Sequence, residues 1–191
     1  MVWPGLRYWP GLPVDTRSRY CSPIADRFAT TARADYDKLA ARLSAAREKS
    51  ARLLEDAVGA ELPALKLERA RFIVNQLADP ETRTADGIDT LEFWVQTNPG
   101  TRPGPMMKVA SGGELSRFLL ALKVSLADKG SASTLVFDEI DTGVGGAVAE
   151  AIGTRLARLA RKVQVLSVTH APQVAARADH HFLIAKDSVD D

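Results

Sequence analysis

Apolar residues recur with a helical period in the first third of the chain. From residue 24 onward there is no proline or glycine before Gly59, and small or apolar side chains repeat at alternating steps of three and four. This heptad pattern is typical of a coiled coil. Because an isolated long helix gains little stability, we expect a second helix along this seam, either in this domain or absent from the chain. The seam comprises Tyr36, Leu39, Leu43, Ala46, Ser50, Leu53 and Ala57.

The period changes to that of β-strands after Pro63. Residues 71–77 are rich in β-forming side chains, and apolar residues alternate with polar ones across 91–96. The acidic, turn-rich segment between them favours a hairpin-like connection. Residues 98–105 contain three prolines and two glycines, so we expect a loop there.

The last third of the chain alternates longer helical segments with short apolar ones. The pattern predicts helices over 113–127 and 146–161, strands over 135–138, 163–168 and 181–184, and a short helix starting at Pro172. Such alternation is typical of βαβ units, so we predict an α/β fold whose mostly parallel sheet is covered by helices on both faces. Ligands bind beyond the carboxyl ends of the strands in such sheets. Asp138, Glu139 and His170 all fall at strand carboxyl ends.

The first 24 residues differ in composition from the rest. They contain four of the ten prolines and repeat Trp-Pro-Gly-Leu at residues 3–6 and 9–12. Because Pro and Gly at this density disfavour a regular helix, we predict an irregular tail over 1–23, with an aromatic docking segment as the alternative. The sequence then divides into this tail, a coiled-coil-type helix over 24–62 and a lobe over 63–191.

Charge and cysteine content limit the classes of partner. The 25 basic and 24 acidic residues nearly cancel, so no global field points to nucleic acid or to a membrane surface. Cys21 is the one cysteine, which excludes an internal disulfide and fits a reducing cytosolic compartment. No run of about 18 apolar residues occurs, so no membrane span is expected.

Residues 111–114 combine a helix-capping pattern with paired glycines. Ser111 and Glu114 have the spacing of a capping box. A cap alone does not explain Gly112 and Gly113, because glycine in a helix costs about 1 kcal/mol relative to alanine. Paired glycines at a helix start let an anion approach free N–H groups, so a plain cap and a phosphate site both remain open.

Two carboxylates and a histidine end the strands predicted over 135–138 and 163–168. Asp138 and Glu139 suit a Mg²⁺ ion and the activation of a water molecule; a solvated turn is the alternative. His170 suits a sensor of a terminal phosphate, and a structural hydrogen bond is its alternative. His180 and His181 have no cysteine partners and are interpreted as structural.

Together these motifs resemble the C-terminal lobe of an ABC-type ATPase head. Residues 110–117 are similar to the ABC signature, 135–139 to the Walker B strand, 141–143 to the D-loop, and His170 to the switch histidine. The longer runs 98–100, 108–117, 137–146 and 169–175 resemble the RecN family of bacterial SMC-like DNA repair proteins. The resemblance covers residues 24–186.

The resemblance implies a site that two heads share. Two heads sandwich ATP with Mg²⁺ in this family, and the signature of one head touches the γ-phosphate held by the other. It implies that Glu139 and His170 are catalytic and that Asp138 binds the metal in the same head. Helix 24–62 would return from an arm that reaches DNA or other subunits, in a cytoplasmic, nucleoid-associated homodimer without membrane contact. The nucleotide-contacting residues would be Ser111, Gly112, Gly113, Glu114 and Asp141.

One motif of such heads is missing from the sequence. No Gly-x-x-x-x-Gly-Lys-Ser/Thr loop occurs, so the Walker A lobe would have to be a further partner. We therefore expect a C-terminal piece of a longer protein that neither binds ATP tightly nor hydrolyses it alone. The alternatives are a head fragment of another SMC-like or ABC ATPase and a non-catalytic interaction module.

Overall fold

A computed structural model describes residues 14–126 and 132–185, with side chains from residue 25 onward. Its contacts divide these residues into two compact units, 14–46 with 78–89 and 47–77 with 90–185. Five helices and five strands are present in the described ranges. The helices are α1 (Val14–Glu61), α2 (Met106–Val109), α3 (Gly112–Ser125), α4 (Gly146–Ala160) and α5 (Pro172–Ala175), with a 3-10 turn at Pro63–Leu65. The strands are β1 (Arg71–Ala78), β2 (Asp89–Gln96), β3 (Gly104–Pro105), β4 (Thr134–Phe137) and β5 (Gln164–Ser167).

Helix α1 starts at Val14 rather than at residue 24. Residues 14–23 of the predicted irregular tail are therefore helical, and the rest of that tail lies outside the described residues. Pro23 is the one proline in 14–23; it removes a backbone hydrogen bond and crowds the preceding turn at a cost of about 3 kcal/mol, and the other residues of this stretch permit helical geometry. None of the described helices has the length and apolar character needed to cross a membrane.

The first unit joins α1 to the turn between β1 and β2. The Tyr36 hydroxyl donates to the carbonyl of Thr84 (2.9 Å) and accepts its N–H (3.1 Å). Arg83 forms a two-point ion pair with Asp37. On the same helix the leucines of the predicted heptad seam next to Tyr36, Leu39 and Leu43, are exposed. A partner along this seam thus remains a prediction.

The core of the second unit lies between the end of α1, helices α3 and α4, and the small parallel sheet. Strands β4 and β5 are parallel, with Leu135 opposite Val165 and Phe137 opposite Ser167. Phe137 is buried, and Leu135 and Val165 pack against the same core. The largest fully buried core residues include Leu62, Leu65, Phe118, Leu120 and Ile152. The predicted α/β fold with a parallel sheet is therefore confirmed.

Two details of the predicted sheet are wrong in the described residues. The sheet is covered on one face only, since Val136 (66% exposed), Leu166 and Val168 project from the other. Residues 181–184 form no strand, and their apolar side chains are exposed. A strand needs a neighbouring backbone to satisfy its N–H and C=O groups, and the described residues offer this segment none.

The second sheet follows the prediction more closely. Its strand order is β1-β2-β3, and Phe72 of β1 meets Phe93 of β2 with ring centroids 5.3 Å apart. The loop predicted over 98–105 ends in β3, which pairs antiparallel with β2 through Trp94 and Val95. Because β3 is an edge strand, the N–H that Pro105 lacks is not needed for a hydrogen bond inside the sheet.

Candidate functional site

Helix α3 begins with the capping box that the sequence predicts. Ser111 is the N-cap, and its N–H and hydroxyl donate to Oε2 of Glu114 at 3.1 and 2.8 Å. The cap therefore accounts for Ser111 and Glu114 without a ligand. Contact of these two residues with a nucleotide remains a prediction.

The paired glycines lie where the segment after β4 approaches α3. A methyl group built at Gly112 would lie 3.3 Å from Oε2 of Glu139, closer than side chains ordinarily approach. One built at Gly113 would lie 3.6 Å from the carbonyl oxygens of Glu139 and Thr142, an ordinary contact. The absence of a side chain at Gly112 thus lets the Glu139 carboxylate reach the start of α3.

Asp138 and Glu139 emerge directly from the end of β4. Oδ1 of Asp138 accepts the N–H of Glu139 at 2.9 Å, and the hydroxyl of Ser116 donates to the Asp138 carbonyl at 3.2 Å. Both carboxylates are exposed. Glu139 has φ of +56°, a left-handed conformation that is unfavourable for a residue other than glycine and that is found at functional sites.

Asp141 lies inside the protein and holds the segment after β5. It is 2% exposed, and its Oδ2 accepts the Thr169 hydroxyl (2.5 Å), the N–H of His170 (3.2 Å) and the N–H of Ala171 (3.1 Å). Burial raises the pKa of Asp141, but the hydrogen bonds from Thr169 and Ala171 outweigh burial, so its pKa lies below the ordinary value. Asp141 is therefore a buried carboxylate whose Oδ2 already accepts three hydrogen bonds.

The side chain of His170 is free to reach a ligand. It is 77% exposed, with Nδ1 3.6 Å from Oδ2 of Asp141. Its backbone is fixed twice, through the His170 N–H and through the Val168 N–H, which donates to the Phe137 carbonyl at 2.9 Å. The imidazole thus extends from a well-anchored turn beyond the sheet.

All the predicted site residues gather around the carboxyl ends of β4 and β5. Glu139 lies beside the start of α3, and Asp141 accepts a hydrogen bond from the His170 N–H. Two residues of this region were not predicted. Arg117 donates to the Thr142 carbonyl, and Thr169 to Asp141. Their only signal in the sequence was their position inside or beside the motifs.

The chemistry of these groups suits a nucleotide with a magnesium ion. Carboxylate oxygens are ligands that Mg²⁺ prefers, and it commonly takes one or two of them together with phosphates. Oδ2 of Asp138 accepts no hydrogen bond within the described part of the chain. In that same part no group of three His, Cys, Asp or Glu side chains forms a site by itself. Asp138 therefore has one carboxylate oxygen that could hold the ion.

Comparison with known proteins identifies related sequences. No protein-family model matches the chain. It is 47% identical over 156 residues to the DNA repair protein RecN of Rickettsia bellii, covering 82% of this chain and 28% of that protein. The RecN proteins of Haemophilus influenzae (41% over 151 residues) and Streptomyces coelicolor (46% over 165 residues) are also similar, covering 79% and 81% of this chain. The chain spans less than a third of each of these relatives (28%, 27% and 29%).

Solved structures resemble the fold. The Smc head domain of Pyrococcus furiosus, with an extended coiled coil and bound to the C-terminal domain of ScpA, has a TM-score of 0.50 and 20% identity; the match covers 70% of this chain and 31% of that one. The Smc head of Pyrococcus yayanosii has a TM-score of 0.50 and 22% identity, over 70% of this chain and 24% of that one. The chain therefore resembles one part of the RecN proteins, and its α/β fold with a preceding long helix is that of an SMC head.

Proposed function

We propose that the chain is the C-terminal part of an ATP-hydrolysing head in a RecN-type protein of double-strand break repair. The observation that carries this proposal is the convergence of four motifs around the ends of β4 and β5. The signature glycines lie beside Glu139, and the D-loop residue Asp141 accepts hydrogen bonds from the His170 turn. The similarity to proteins named DNA repair protein RecN supports the biological role.

In this proposal each exposed group has one task. Gly112 and Gly113, at the N-terminus of a 14-residue helix, present N–H groups to the γ-phosphate of a nucleotide held by a second, identical head. Asp138 would hold Mg²⁺ through its Oδ2, and the bound ion would supply positive charge against the phosphates. Glu139 takes a proton from the attacking water, and His170 donates a hydrogen bond to the terminal phosphate.

The position of Glu139 favours its role as the base. Its carboxylate is exposed, extends from a strained left-handed residue and lies beside Gly112 of α3. Strain of this kind costs about 1–3 kcal/mol and persists where surrounding contacts require it. The backbone at Glu139 therefore fixes the base at the end of β4, where it would act on the nucleotide held by its own head.

The open face of the β4–β5 sheet supports the proposal that the missing partner is a lobe with the Walker A motif. Parallel sheets occur almost only with both faces covered, whereas Val136, Leu166 and Val168 are exposed here. The relatives are more than three times as long as the matched segment, so they contain residues that could cover this face. DNA would be contacted indirectly, through the arm to which α1 belongs, and such a protein would work in the cytoplasm at the nucleoid.

Nucleotide binding by the purified chain tests the proposal. A non-hydrolysable Mg-ATP analogue should bind a mixture of the chain with a separately expressed N-terminal lobe of a RecN relative, and neither component alone. In that mixture Glu139→Gln should retain binding and lower ATP turnover by at least about 100-fold. The matched control Glu48→Gln, on the exposed surface of α1, should leave turnover unchanged.

The outcomes separate the alternatives. Mg-dependent turnover by the pure chain would contradict the need for a second lobe. Binding of the lobe without nucleotide binding or turnover would favour an interaction module and overturn the ATPase assignment. Turnover that persists in Glu139→Gln would remove the proposed base.

A further inference from the structure

Arg117 is a buried arginine without an acidic partner. It is 7% exposed, and among the described residues it forms no ion pair. Its Nε is buried and has no hydrogen-bond partner, while its Nη1 donates to the Thr142 carbonyl at 3.4 Å. Burial lowers the pKa of the guanidinium, and the nearby Glu114 charge offsets this in part. Among the residues that the structure describes, the one hydrogen bond that Arg117 makes outside its own helix is to the D-loop, residues 141–143.

Stability does not explain this arginine. A buried charge without an opposite charge opposes folding, and an apolar side chain of similar length is often at least as stable at such a position. The guanidinium does, however, provide a link from α3 to the D-loop. The link lies beside the paired glycines of the signature, because the same Nη1 is 3.4 Å from a methyl group built at Gly113.

The residue before Thr142 forms the second half of the link. Asp141 accepts three hydrogen bonds from the turn of residues 169–171, and two of these come from backbone N–H groups. Neighbouring residues of one short loop are thus tied to α3 on one side and to the His170 turn on the other. The path from the start of α3 to His170 consists of packed groups and hydrogen bonds throughout.

We propose that Arg117 and Asp141 are positioning residues that couple the start of α3 to the backbone of His170. We name them the D-loop clamp. Any displacement of α3 by a nucleotide or by a second head pulls on Thr142, and Asp141 passes the movement to the turn that carries the imidazole. The role of this coupling in catalysis rests on the function proposed above, whereas the coupling itself depends only on hydrogen bonds within this chain.

Amide hydrogen exchange of the 191-residue chain, followed by NMR, tests the coupling without nucleotide. Arg117→Met should speed exchange of the His170 and Ala171 amides by about 10-fold or more, although residue 117 touches neither of them. The urea midpoint should not fall, because a buried unpaired charge is removed. Lys123→Met is the matched control, a basic residue in the last turn of the same helix, and should change neither amide.

A pair of variants at Thr169 separates coupling from packing. Thr169→Ser retains the hydroxyl that donates to Asp141, whereas Thr169→Val retains the shape and loses the donor. In the mixture with the N-terminal lobe, Thr169→Val and Arg117→Met should each lower kcat about 10-fold with KM unchanged, and Thr169→Ser should have the kcat of the unchanged chain.

The two proposals fail in different ways. Unchanged exchange of the His170 and Ala171 amides in Arg117→Met would overturn the D-loop clamp, whatever the mixture hydrolyses. Equal kcat losses in Thr169→Ser and Thr169→Val would also overturn it, because packing alone would then matter. Absence of turnover by the unchanged chain in the mixture would overturn the proposed function, while the exchange measurement would still decide the clamp.

Discussion

Alanine at position 153 should test how closely α4 and α5 pack. A Cβ built on Gly153 would lie 3.0 Å from the Gln173 carbonyl oxygen, 3.0 Å from Cγ of Arg177 and 3.3 Å from Cα of Val174. Two of these atoms belong to the backbone of α5, which cannot rotate away as a side chain does. Alanine gains about 1 kcal/mol of helix propensity over glycine, but forcing packed backbone apart costs about 1–3 kcal/mol. The net effect should therefore range from about zero to about 2 kcal/mol of destabilisation.

Gly59→Ala provides the matched control for this experiment. Gly59 lies in α1, and nothing approaches within 4 Å of a Cβ built there, so alanine should stabilise the chain by about 0.5–1 kcal/mol. Urea unfolding followed by circular dichroism measures both variants, and their free energies of unfolding should differ by about 0.5–3 kcal/mol. Equal stabilisation by the two alanines would show that α5 moves aside without cost, which would refute the packing argument.

Three further experiments test charges of the second unit and its site. Glu61→Ala should lower the free energy of unfolding by about 1–3 kcal/mol, because its half-buried carboxylate accepts bonds from Arg155 (2.8 Å) and Arg158 (2.5 Å). As the control, Glu48→Ala removes the exposed pair with Arg52 and should lower the free energy of unfolding by less than about 0.5 kcal/mol. A comparable loss of stability in the two variants would contradict the burial argument. The lowered pKa of Asp141 stabilises the fold fully above its ordinary value of about 4, and this contribution is lost as pH falls through the lower folded value. Urea midpoints from about pH 6 down to about pH 2 should therefore fall less steeply in Asp141→Asn than in the unchanged chain. Parallel pH curves for the two proteins would show that this carboxylate does not contribute to acid unfolding. In the mixture with the N-terminal lobe, Asp138→Asn should raise the Mg²⁺ concentration needed for half-maximal turnover by at least about 10-fold, and an unchanged requirement would exclude it as the metal ligand.

The sequence predicted well those elements whose support lies close in the chain. The capping box at Ser111 and Glu114 depends on four consecutive residues, and it formed as predicted. The pairing of β4 with β5 depends on a crossover that contains only α4. Local propensity, periodicity and a short connection point to the same answer in each case, and such consistency makes a structure predictable.

The orientation of α1 could not be predicted from its period alone. Ala40 and Val58 are buried, whereas the predicted seam residues Leu39 and Leu53 are exposed. Ala40 directly follows Leu39, and Val58 lies five residues after Leu53. An alanine-rich helix carries more than one stripe of small or apolar residues with steps of three and four, so two such stripes run side by side along α1. Periodicity therefore detects the helix correctly but does not determine which stripe meets the rest of the chain.

The absence of a strand at 181–184 and the well-ordered bonds around Asp141 are both explained by where each segment finds its hydrogen-bond partners. A strand at these residues would need a neighbour on the sheet, and its three apolar side chains, Phe182, Leu183 and Ile184, are exposed without one. The site needs no such neighbour, because every bond that holds Asp141 comes from the chain itself. Residues from a missing lobe would therefore cover the open sheet face without having to build the motif geometry. Under the proposed function, the chain would present its motifs already folded, and assembly would depend on docking of a second lobe rather than on refolding of the motifs.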